Sequence, residues 1–551
     1  MRYRWRMDRF RRLEESAFDV IVVGAGMGGL TAAALLCRRG KRVLVVDRHY
    51  AAGGNATIFK RKGYEFDVGI HYIGGCEPRG PIARTLDAAG ATGVEFEELD
   101  PDGFDTLVFP DLRFRVPRGL DEYHRRLVEH FPDERRGIDR YVAFLEQFRR
   151  VQRIVRNPVS ALWTLPRAPL VVRYANSTFA HFLDSCTSNE RLRAVLAGQQ
   201  GDYAQPPSRA SALVAIGLTH HYLDGAFFPK GGGQVLADAL AASIERHGGR
   251  ILLRATARRI VVEGGRVRGV VIDSPHLGER TVTAPVVISN ADLKRTLGEL
   301  VGAEHLRPRT VQKARGYEMS PALGMVYLGL NRDLVAEGHP RTNYWIYPSY
   351  ESETGYAATM RGEFPDEPMT YVSIGSVKDP TNRRMAPPGH TNLEVMSLAP
   401  SAPEAWGVSE ADAASGAYRK SAEYQRRKQR YADRLLAMAE RVLPGLRGQI
   451  AYQEVATPLT HARFTLATAG TSYGIALTPA QMLMGRPGAT TEIAGLYLAG
   501  ASTRTAHGIG GVMSSGVVAA SAIVGGAAVK ELFAESRIAA AVHGAATAAA
   551  R

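Results

Sequence analysis

The sequence predicts an α/β protein with a doubly wound, Rossmann-like nucleotide-binding domain and a second domain of mixed α+β structure. Three observations support this prediction. The chain of 551 residues is longer than one hydrophobic core accommodates, so two or three domains are expected. Short apolar runs typical of buried parallel strands stand near the beginning, in the middle and near the end of the chain. A glycine-rich loop directly follows the first of these runs.

The first element is a strand–loop–helix–strand unit. The run DVIVV (19–23) predicts a strand, the next helix is expected to end at Gly40, and RVLVVD (42–47) predicts a second strand. The loop has GxGxxG spacing, in which the glycines permit a tight turn, close approach of a pyrophosphate, and packing of the helix on the strand. The helix N-terminus would attract the phosphates. The residues predicted to bind the cofactor here are Gly24, Ala25, Gly26, Gly28 and Gly29.

An acid and a second pair of glycines narrow the choice of cofactor. Asp47 ends the second strand, where a carboxylate accepts hydrogen bonds from ribose hydroxyls and repels a 2′-phosphate. This arrangement leaves NAD and FAD as candidates. The doublet Gly53–Gly54 favours FAD, because glycines there let a second loop meet the diphosphate of an extended dinucleotide. Arg48 and Asn55, on either side of the doublet, are predicted to belong to the same site.

The later elements repeat this strand character. PKGGGQVLADAL (229–240) predicts a glycine turn that opens a helix, and residues 248–273 predict three strands separated by Gly-Gly turns. APVVISNAD (284–292) and LYLAG (496–500) predict two more strands. We therefore expect a discontinuous dinucleotide-binding domain at 18–75, 226–300 and 490–530, a substrate domain at 76–225 and 301–489, a basic arm at 1–17 and an alanine-rich tail at 531–551.

A family resemblance rests on five segments, which are GYEFDVGIHYIGG (63–75), GQQGDYAQPPSRAS (198–211), HHYLDGAFFPKGG (220–232), residues 457–487 and LYLAGASTRTAHGIGGVMSSG (496–516). They resemble the FAD-dependent phytoene desaturase, carotenoid isomerase and retinol saturase group, which shares the FAD fold of p-hydroxybenzoate hydroxylase and the amine oxidases. The first three segments are closest to the retinol saturase form. Gly500–Ala501 is nearer to the desaturase form, because retinol saturases commonly have Gly-Gln-Asp there. The resemblance specifies the family rather than the reaction.

The resemblance implies two further cofactor contacts. In the family, the strand that carries Phe66, Asp67 and Gly69 approaches the flavin. Ala257, in the segment TARRI, corresponds to a residue whose backbone meets the adenine.

The C-terminal glycine segment predicts contacts by its own chemistry. The backbone of Gly500 and Ala501 is expected near the pyrophosphate and the ribityl chain. GIGGVM opens a helix whose N–H groups would face the N1–C2=O edge of the flavin and stabilise its reduced form. The residues expected there are Gly510, Gly511 and Val512.

FAD would carry the hydride chemistry, so the chain itself need only hold an apolar substrate against the flavin. The sequence shows no nucleophilic triad and no metal-ligand cluster. The candidate catalytic residues are Asp67, His71, Tyr72 and His507. Each has a structural alternative: Asp67 could cap a turn or pair with an arginine, and a buried histidine often serves only the core. His220 and His221 are expected in the core or at the surface.

Composition and charge predict the partners. The net charge of +14 favours anionic surfaces, while the lack of zinc-finger spacing and of a basic helix with interleaved aromatics argues against nucleic acid. The three cysteines form no CxxC pair, which indicates a reducing compartment. No secretion signal or membrane-spanning run is evident. Residues 149–174 contain Trp163, six arginines and no acids, so they are expected to lie at a lipid headgroup surface or to form an amphipathic lid or a pair of core helices. A cytoplasmic protein in peripheral contact with the inner face of the membrane is expected.

These observations together predict an FAD-dependent oxidoreductase. Its expected substrate is a long apolar isoprenoid, of carotenoid or retinoid type, whose C=C or C–C bonds undergo desaturation, saturation or isomerisation. Because only one dinucleotide fingerprint is present, electrons are expected to pass to or from a transient partner, such as a quinone, oxygen or a reductase. One alternative is a flavin amine oxidase, which an aromatic cage at the flavin would favour. The other is a prenyl-binding chaperone of the GDP-dissociation-inhibitor type, against which the intact glycine loops argue.

Overall fold

The computed structural model describes residues 13–154 and 158–535. Most of the predicted basic arm (1–12) and of the alanine-rich tail (536–551) lies outside the described residues, as do residues 155–157 of the predicted lipid-facing segment.

The strands of the described residues are β1 (Val20–Val23), β2 (Val43–Asp47), β3 (Ile58–Arg61), β4 (Tyr64–Asp67), β5 (Ile73–Gly74), β6 (Phe96–Glu98), β7 (Asp105–Val108), β8 (Arg113–Val116), β9 (Ala226–Pro229), β10 (Arg250–Leu253), β11 (Thr256–Glu263), β12 (Arg266–Ser274), β13 (Gly278–Thr283), β14 (Val286–Ser289), β15 (Ala322–Leu330), β16 (Asn343–Ile346), β17 (Thr370–Ser373), β18 (Thr391–Ala399), β19 (Ile450–Ala456) and β20 (Leu496–Leu498).

The α-helices of the described residues are α1 (Met27–Arg38), α2 (Pro81–Ala88), α3 (Leu120–His130), α4 (Arg135–Ile154), α5 (Pro158–Thr164), α6 (Pro169–Tyr174), α7 (Phe179–Asp184), α8 (Glu190–Leu196), α9 (Ala212–Leu223), α10 (Gln234–Arg246), α11 (Leu293–Arg295), α12 (Pro308–Gly316), α13 (Glu353–Met360), α14 (Gly375–Lys378), α15 (Glu410–Ser415), α16 (Ala422–Ala439), α17 (Pro458–Thr465) and α18 (Gly508–Val524).

A five-stranded parallel sheet has the order β10-β2-β1-β14-β20. All four residues of β1 are buried, as expected of a β-branched run in a parallel sheet that is covered on both faces. The strands come from the beginning, the middle and the end of the chain, so the predicted doubly wound α/β fold is confirmed. The carboxyl ends of β1, β2 and β14 lie side by side, and ligands bind at this edge of such sheets.

A seven-stranded mixed sheet has the order β19-β15-β18-β17-β16-β7-β8. It combines β7 and β8, from residues 105–116, with strands from residues 322–456, so two distant blocks of the chain share one sheet. Aromatic side chains of residues 64–228 fill a core beside it. This sheet and the parallel sheet enclose the cavity described below.

A smaller sheet corrects one sequence-based expectation. β11, β12 and β13 form an antiparallel meander, and Gly264–Gly265 makes the tight turn between β11 and β12 as predicted. The turn between β10 and β11 contains no Gly-Gly pair; Arg254 adopts the left-handed conformation there, with φ +53°. Separately, none of the helices in the described ranges combines the length and hydropathy that crossing a bilayer requires.

Candidate active site

A cavity of about 470 Å³ lies at the carboxyl edge of the parallel sheet. Part of its wall is formed by loops that follow β1, β2 and β14, including Gly24, Asp47 and Asn290. Apolar side chains also line it, among them Met325 of β15 and Met396 of β18. Of the residues predicted to bind the cofactor, those that line the cavity are Gly24, Gly26, Asp47, Arg48, Gly54, Asn55, Gly69, Ala257 and Ala501.

The two N-terminal glycine loops are in direct contact. Gly24 has φ +101°, a conformation that side-chain-bearing residues rarely adopt, and a Cβ on Gly29 would lie 2.3 Å from the Gly24 carbonyl oxygen. The amide of Gly53 donates to the carbonyl oxygen of Ala25 at 2.7 Å. A Cβ on Gly54 would lie 3.2 Å from the Cα of Gly26. Because glycines have no side chain, the space next to the backbone of these two loops stays open.

The C-terminal glycine segment reaches the same place. A Cβ on Gly28 would lie 2.8 Å from the carbonyl oxygen of Val512, and one on Gly516 would lie 2.3 Å from the carbonyl oxygen of Gly28. The amide of Gly500 donates to Ser515 Oγ at 2.7 Å, which ties β20 to α18. α1 and α18 thus approach each other so closely that only glycine fits at the contact. Segments almost 500 residues apart in the sequence form one structural unit.

Asn290, which the sequence analysis did not single out, connects these segments. Its Nδ2 donates to the carbonyl oxygen of Gly24 at 3.3 Å, and its side chain lies within 3.0 Å of the Cβ positions of Gly26, Gly28 and Gly500. Its Oδ1 is buried and has no hydrogen-bond partner among the described residues. A buried amide oxygen without a donor costs free energy unless a ligand or water supplies one.

Asp47 is held in place for a polar ligand. Its two carboxylate oxygens accept hydrogen bonds from the amides of Ala25, at 2.7 Å, and His49, at 2.8 Å. Asp47 lines the cavity together with Ala257, and its carboxylate can accept further hydrogen bonds. The glycine cradle fits the diphosphate of FAD, while this carboxylate and the free oxygen of Asn290 are acceptors that fit its hydroxyl groups. FAD, when bound, supplies hydride transfer, and the chain holds the cofactor and positions the substrate.

His71 lines the cavity, as predicted for a residue near the flavin. Its ring lies 5.8 Å from the ring of Tyr371, and its Nδ1 has no hydrogen-bond partner in the described part of the chain. Its carbonyl oxygen accepts a hydrogen bond of 2.7 Å from Lys378 Nζ. Burial, and then the charge of Lys378, lower the pKa of His71 to about 3. The ring is therefore neutral at physiological pH and presents an unused polar atom beside the cavity.

The other three predicted catalytic residues, Asp67, Tyr72 and His507, are not among the residues that line the cavity, and their catalytic roles stay predictions. The Asp67 carboxylate accepts a hydrogen bond from the Gly233 amide at 2.6 Å, and burial raises its pKa to about 7. The Tyr72 hydroxyl contacts the carboxylates of Asp105 and Asp202. His507 Nε2 lies 2.7 Å from the carbonyl oxygen of Asp202.

Several predicted cofactor residues do not line the cavity but belong to the backbone that surrounds it. These residues are Ala25, Gly28, Gly29, Gly53, Gly500, Gly510, Gly511 and Val512. A Cβ on Gly511 would lie 2.6 Å from the carbonyl oxygen of Thr505, so this glycine lets the loop fold against the first turn of α18. α18 begins at Gly508, and the predicted contact of its N-terminus with the flavin stays a prediction.

His461 is a further cavity residue that the sequence did not reveal. Its Nε2 lies 3.0 Å from Asn55 Oδ1 and its Nδ1 3.1 Å from the carbonyl oxygen of Gly470. Burial lowers the pKa of His461 to about 4. It stands in a region of ordinary composition, and only the meeting of distant loops brings it to Asn55.

We expect the stability of the protein to decrease as the pH is lowered from about 6.5 towards about 4. Folded His461 stays neutral down to about pH 4, whereas in the unfolded chain it binds a proton below about 6.5. The unfolded state therefore binds more protons in this window and is favoured. The measurement is the midpoint of thermal unfolding against pH for the wild type and for His461→Gln. The variant should lose less stability over the window, and identical curves would contradict the expectation.

A glycine cradle, with an acid at the end of β2, opens onto a partly apolar cavity, an arrangement typical of FAD-dependent oxidoreductases. The model of the family described as flavin containing amine oxidoreductase matches residues 27–524, and the chain belongs to this family, in its retinol saturase and carotenoid isomerase branch. The chain is 30% identical over 557 residues to an all-trans-retinol 13,14-reductase of Macaca fascicularis, covering 92% of this chain and 85% of that one. It is 27% identical to prolycopene isomerase 1, chloroplastic, of an Oncidium hybrid cultivar, covering 92% and 84%.

A solved structure supports the fold. The structure of cyclohexylamine oxidase from Brevibacterium oxydans IH-35A matches with a TM-score of 0.57 and 16% identity, covering 94% of this chain and 99% of that one. The FAD fold expected from the sequence, and FAD as the cofactor, are confirmed.

Proposed function

We propose that the protein adds hydrogen across a C=C bond of an elongated, apolar isoprenoid substrate. The observation that carries this proposal is the two-sided cavity, in which the dinucleotide cradle continues into an apolar wall. That wall includes Phe59, Leu323, Met325, Met396 and Val455. A polyene can lie along such side chains without leaving buried polar groups unpaired.

The relatives support the direction of the reaction. Relatives named all-trans-retinol 13,14-reductase match at up to 30% identity over most of the chain. A reductase of this name adds hydrogen to its substrate. Each turnover consumes two electrons, which a transient donor must deliver to the flavin, since one dinucleotide fingerprint is present.

The deciding experiment mixes the flavin-loaded protein, reduced under anaerobic conditions, with all-trans-retinol or a carotenoid. We expect the absorbance of oxidised flavin to return and the product to carry two additional hydrogens. Bleaching of oxidised flavin by the polyene would indicate desaturation, and a product of unchanged mass would indicate isomerisation; either result contradicts the proposed direction. Reaction with an amine instead would identify an amine oxidase. The control is protein from which the flavin has been removed.

We further propose that α5 and α6 contact an anionic membrane surface from which the substrate enters. Leu162 and Trp163 are 69% and 66% exposed, and Val172 is 53% exposed. Exposed arginines stand around them, and the segment 149–174 has no acid. Aromatic and aliphatic side chains enter the headgroup region while arginines bind the lipid phosphates.

Replacing both Leu162 and Trp163 by alanine is expected to weaken binding to anionic vesicles by roughly tenfold or more, because each side chain contributes about 1.5–3 kcal/mol when buried. The measurement is co-sedimentation with vesicles of phosphatidylserine and phosphatidylcholine. Met360→Ala, at a side chain that is 47% exposed on α13, is the matched control and should bind like the wild type. Equal binding of the double variant would contradict membrane contact through this segment.

A further inference from the structure

The buried carboxyl group of Asp105 and the partly buried one of Asp202 meet at one tyrosine hydroxyl behind the cavity wall. The Tyr72 hydroxyl oxygen lies 3.0 Å from Asp105 Oδ2 and 2.7 Å from Asp202 Oδ2. A hydroxyl carries a single hydrogen, so Tyr72 donates to only one of these oxygens. The second short contact requires a hydrogen on the other carboxyl group. Tyr72, Asp105 and Asp202 therefore share two hydrogens, one from the tyrosine hydroxyl and one on a carboxyl group.

The surroundings determine which carboxyl group carries that proton. Burial raises the pKa of Asp105 as well, but the hydrogen bonds that it accepts from Gln199 Nε2, at 2.6 Å, and from Asn343 Nδ2, at 2.9 Å, favour its ionised form. For Asp202, burial and the neighbouring charge of Asp105 raise the pKa to about 8. Asp202 is thus the protonated end: it donates to Tyr72, and Tyr72 donates to Asp105.

Three observations connect this arrangement with the cavity. Tyr72 is the next residue in the chain after His71, which lines the cavity. Tyr473 also lines it, and its hydroxyl donates to the carbonyl oxygen of Gly201, the neighbour of Asp202, at 3.3 Å. The ring of His507 packs on Tyr473 with centroids 4.4 Å apart, while its Nε2 contacts the Asp202 carbonyl oxygen. Two residues predicted as catalytic, Tyr72 and His507, therefore converge on Asp202.

We propose that Asp202, Tyr72 and Asp105 form a proton relay that supplies the proton of the hydrogen-addition reaction; this inference rests on the proposed function. Addition across a C=C bond breaks the π bond and forms two C–H bonds, one with a hydride from the reduced flavin and one with a proton. None of the three side chains lines the cavity, so the O–H bond of Asp202 breaks and its proton reaches the substrate carbon through a water molecule of the cavity, leaving a carboxylate. A proton from the solvent then restores the O–H bond of Asp202, so each turnover consumes one proton together with the hydride of the reduced flavin.

Other titratable groups face the relay and must be separated from it in any titration. They are Tyr203, Tyr222, Tyr347, Tyr371, Tyr473, His507 and Lys378. Burial raises the pKa of each of these tyrosines, so they stay protonated, and burial lowers the pKa of His507 to about 4, so it stays neutral. Lys378 provides positive charge on the side of Asp105.

The stored proton is tested by infrared spectroscopy on the full-length, flavin-loaded protein without substrate. We expect the carbonyl band of a protonated carboxyl group, absent from Asp202→Asn, which disappears as the pH rises through about 8. In Asp105→Asn the same band should disappear at lower pH, because the neighbouring negative charge is gone and Tyr72 can donate to Asp202. Tyr371→Phe is the matched control: its hydroxyl has no hydrogen-bond partner in the described residues, so its band should match the wild type. A wild-type spectrum without a band that Asp202→Asn removes would overturn the relay.

The supply of the proton is tested by turnover. Asp202→Asn should lower the rate of hydrogen addition by about 10²–10⁴-fold, while flavin content stays unchanged, and Asp202→Glu should recover part of the rate. For the wild type, kcat/KM should fall as the pH rises through about 8. Unchanged turnover in Asp202→Asn overturns the proposal. A wild type that shows the infrared band but reduces no polyene contradicts the proposed function, whereas a missing band with intact turnover contradicts the relay alone.

Discussion

The Gly29→Ala variant is expected to lose its bound flavin. A Cβ at position 29 would lie 2.3 Å from the carbonyl oxygen of Gly24 and 3.0 Å from a methyl group of Val22, so the first loop would have to move away from the helix. Gly516→Ala should act in the same way from the other end of the chain, since its Cβ would lie 2.3 Å from the carbonyl oxygen of Gly28. Overpacking of this kind costs about 1–3 kcal/mol in stability, and the displaced backbone can no longer hold the diphosphate.

The measurement is the ratio of flavin absorbance to protein absorbance after purification, together with the midpoint of thermal unfolding. We expect at least a tenfold lower flavin content in both variants. Gly355→Ala is the control: it lies within α13, and a Cβ there has open space, so helix propensity should leave it equally or more stable with full flavin. Normal flavin content in Gly29→Ala would refute the assignment of this loop to the cofactor.

The Lys378→Met variant is expected to be destabilised by about 3–5 kcal/mol at neutral pH, because it leaves buried acidic groups without their cation. Lys378 is fully buried, and its Nζ donates to Ser373 Oγ at 2.8 Å and to the carbonyl oxygen of His71. Glu394 and Asp67 lie in the same interior. Burial lowers the pKa of Lys378 and raises that of Glu394, and the attraction between the two groups opposes both shifts.

Denaturant unfolding of the wild type, Lys378→Met and Lys378→Met/Glu394→Gln tests this expectation. The double variant should recover part of the lost stability, since it removes the uncompensated carboxylate as well. Without the lysine, folded Glu394 and Asp67 hold their protons more strongly, so the destabilisation should shrink as the pH falls from about 8 towards about 7, where both groups become protonated in the wild type as well. A loss of stability that is independent of pH and of Glu394 would show that Lys378 acts through packing alone.

The predictions for Gly29→Ala and Lys378→Met differ in how far the sequence alone supports them. Gly24, Gly26, Gly29 and the acid Asp47 are located by sequence pattern alone, because a tight turn and a close backbone approach require glycine at fixed spacing. The apolar runs DVIVV and LYLAG likewise predict the strands that the structure shows there. These requirements on backbone conformation and burial are local, so the residue types of a short segment are enough to predict them.

Asp67, Tyr72 and His507 illustrate the opposite case. Their residue types and their neighbourhood suggested direct contact with flavin or substrate, but their side chains point into the interior behind the cavity wall. The preference of a side chain for one of two faces depends on which distant segment packs there, and no short stretch of sequence specifies that segment.

The sequence by itself determined the FAD fold, the glycine cradle and the family, because backbone conformation and strand burial depend on residue type and spacing. Only the tertiary structure decided that Asn290 joins the two ends of the chain, that Lys378 holds the carbonyl of His71, and that Asp202 meets Asp105 across Tyr72. The physical reason is that the protonation state of a buried group depends on its desolvation and on the charges around it. Both are fixed only when segments that are far apart in the sequence come together.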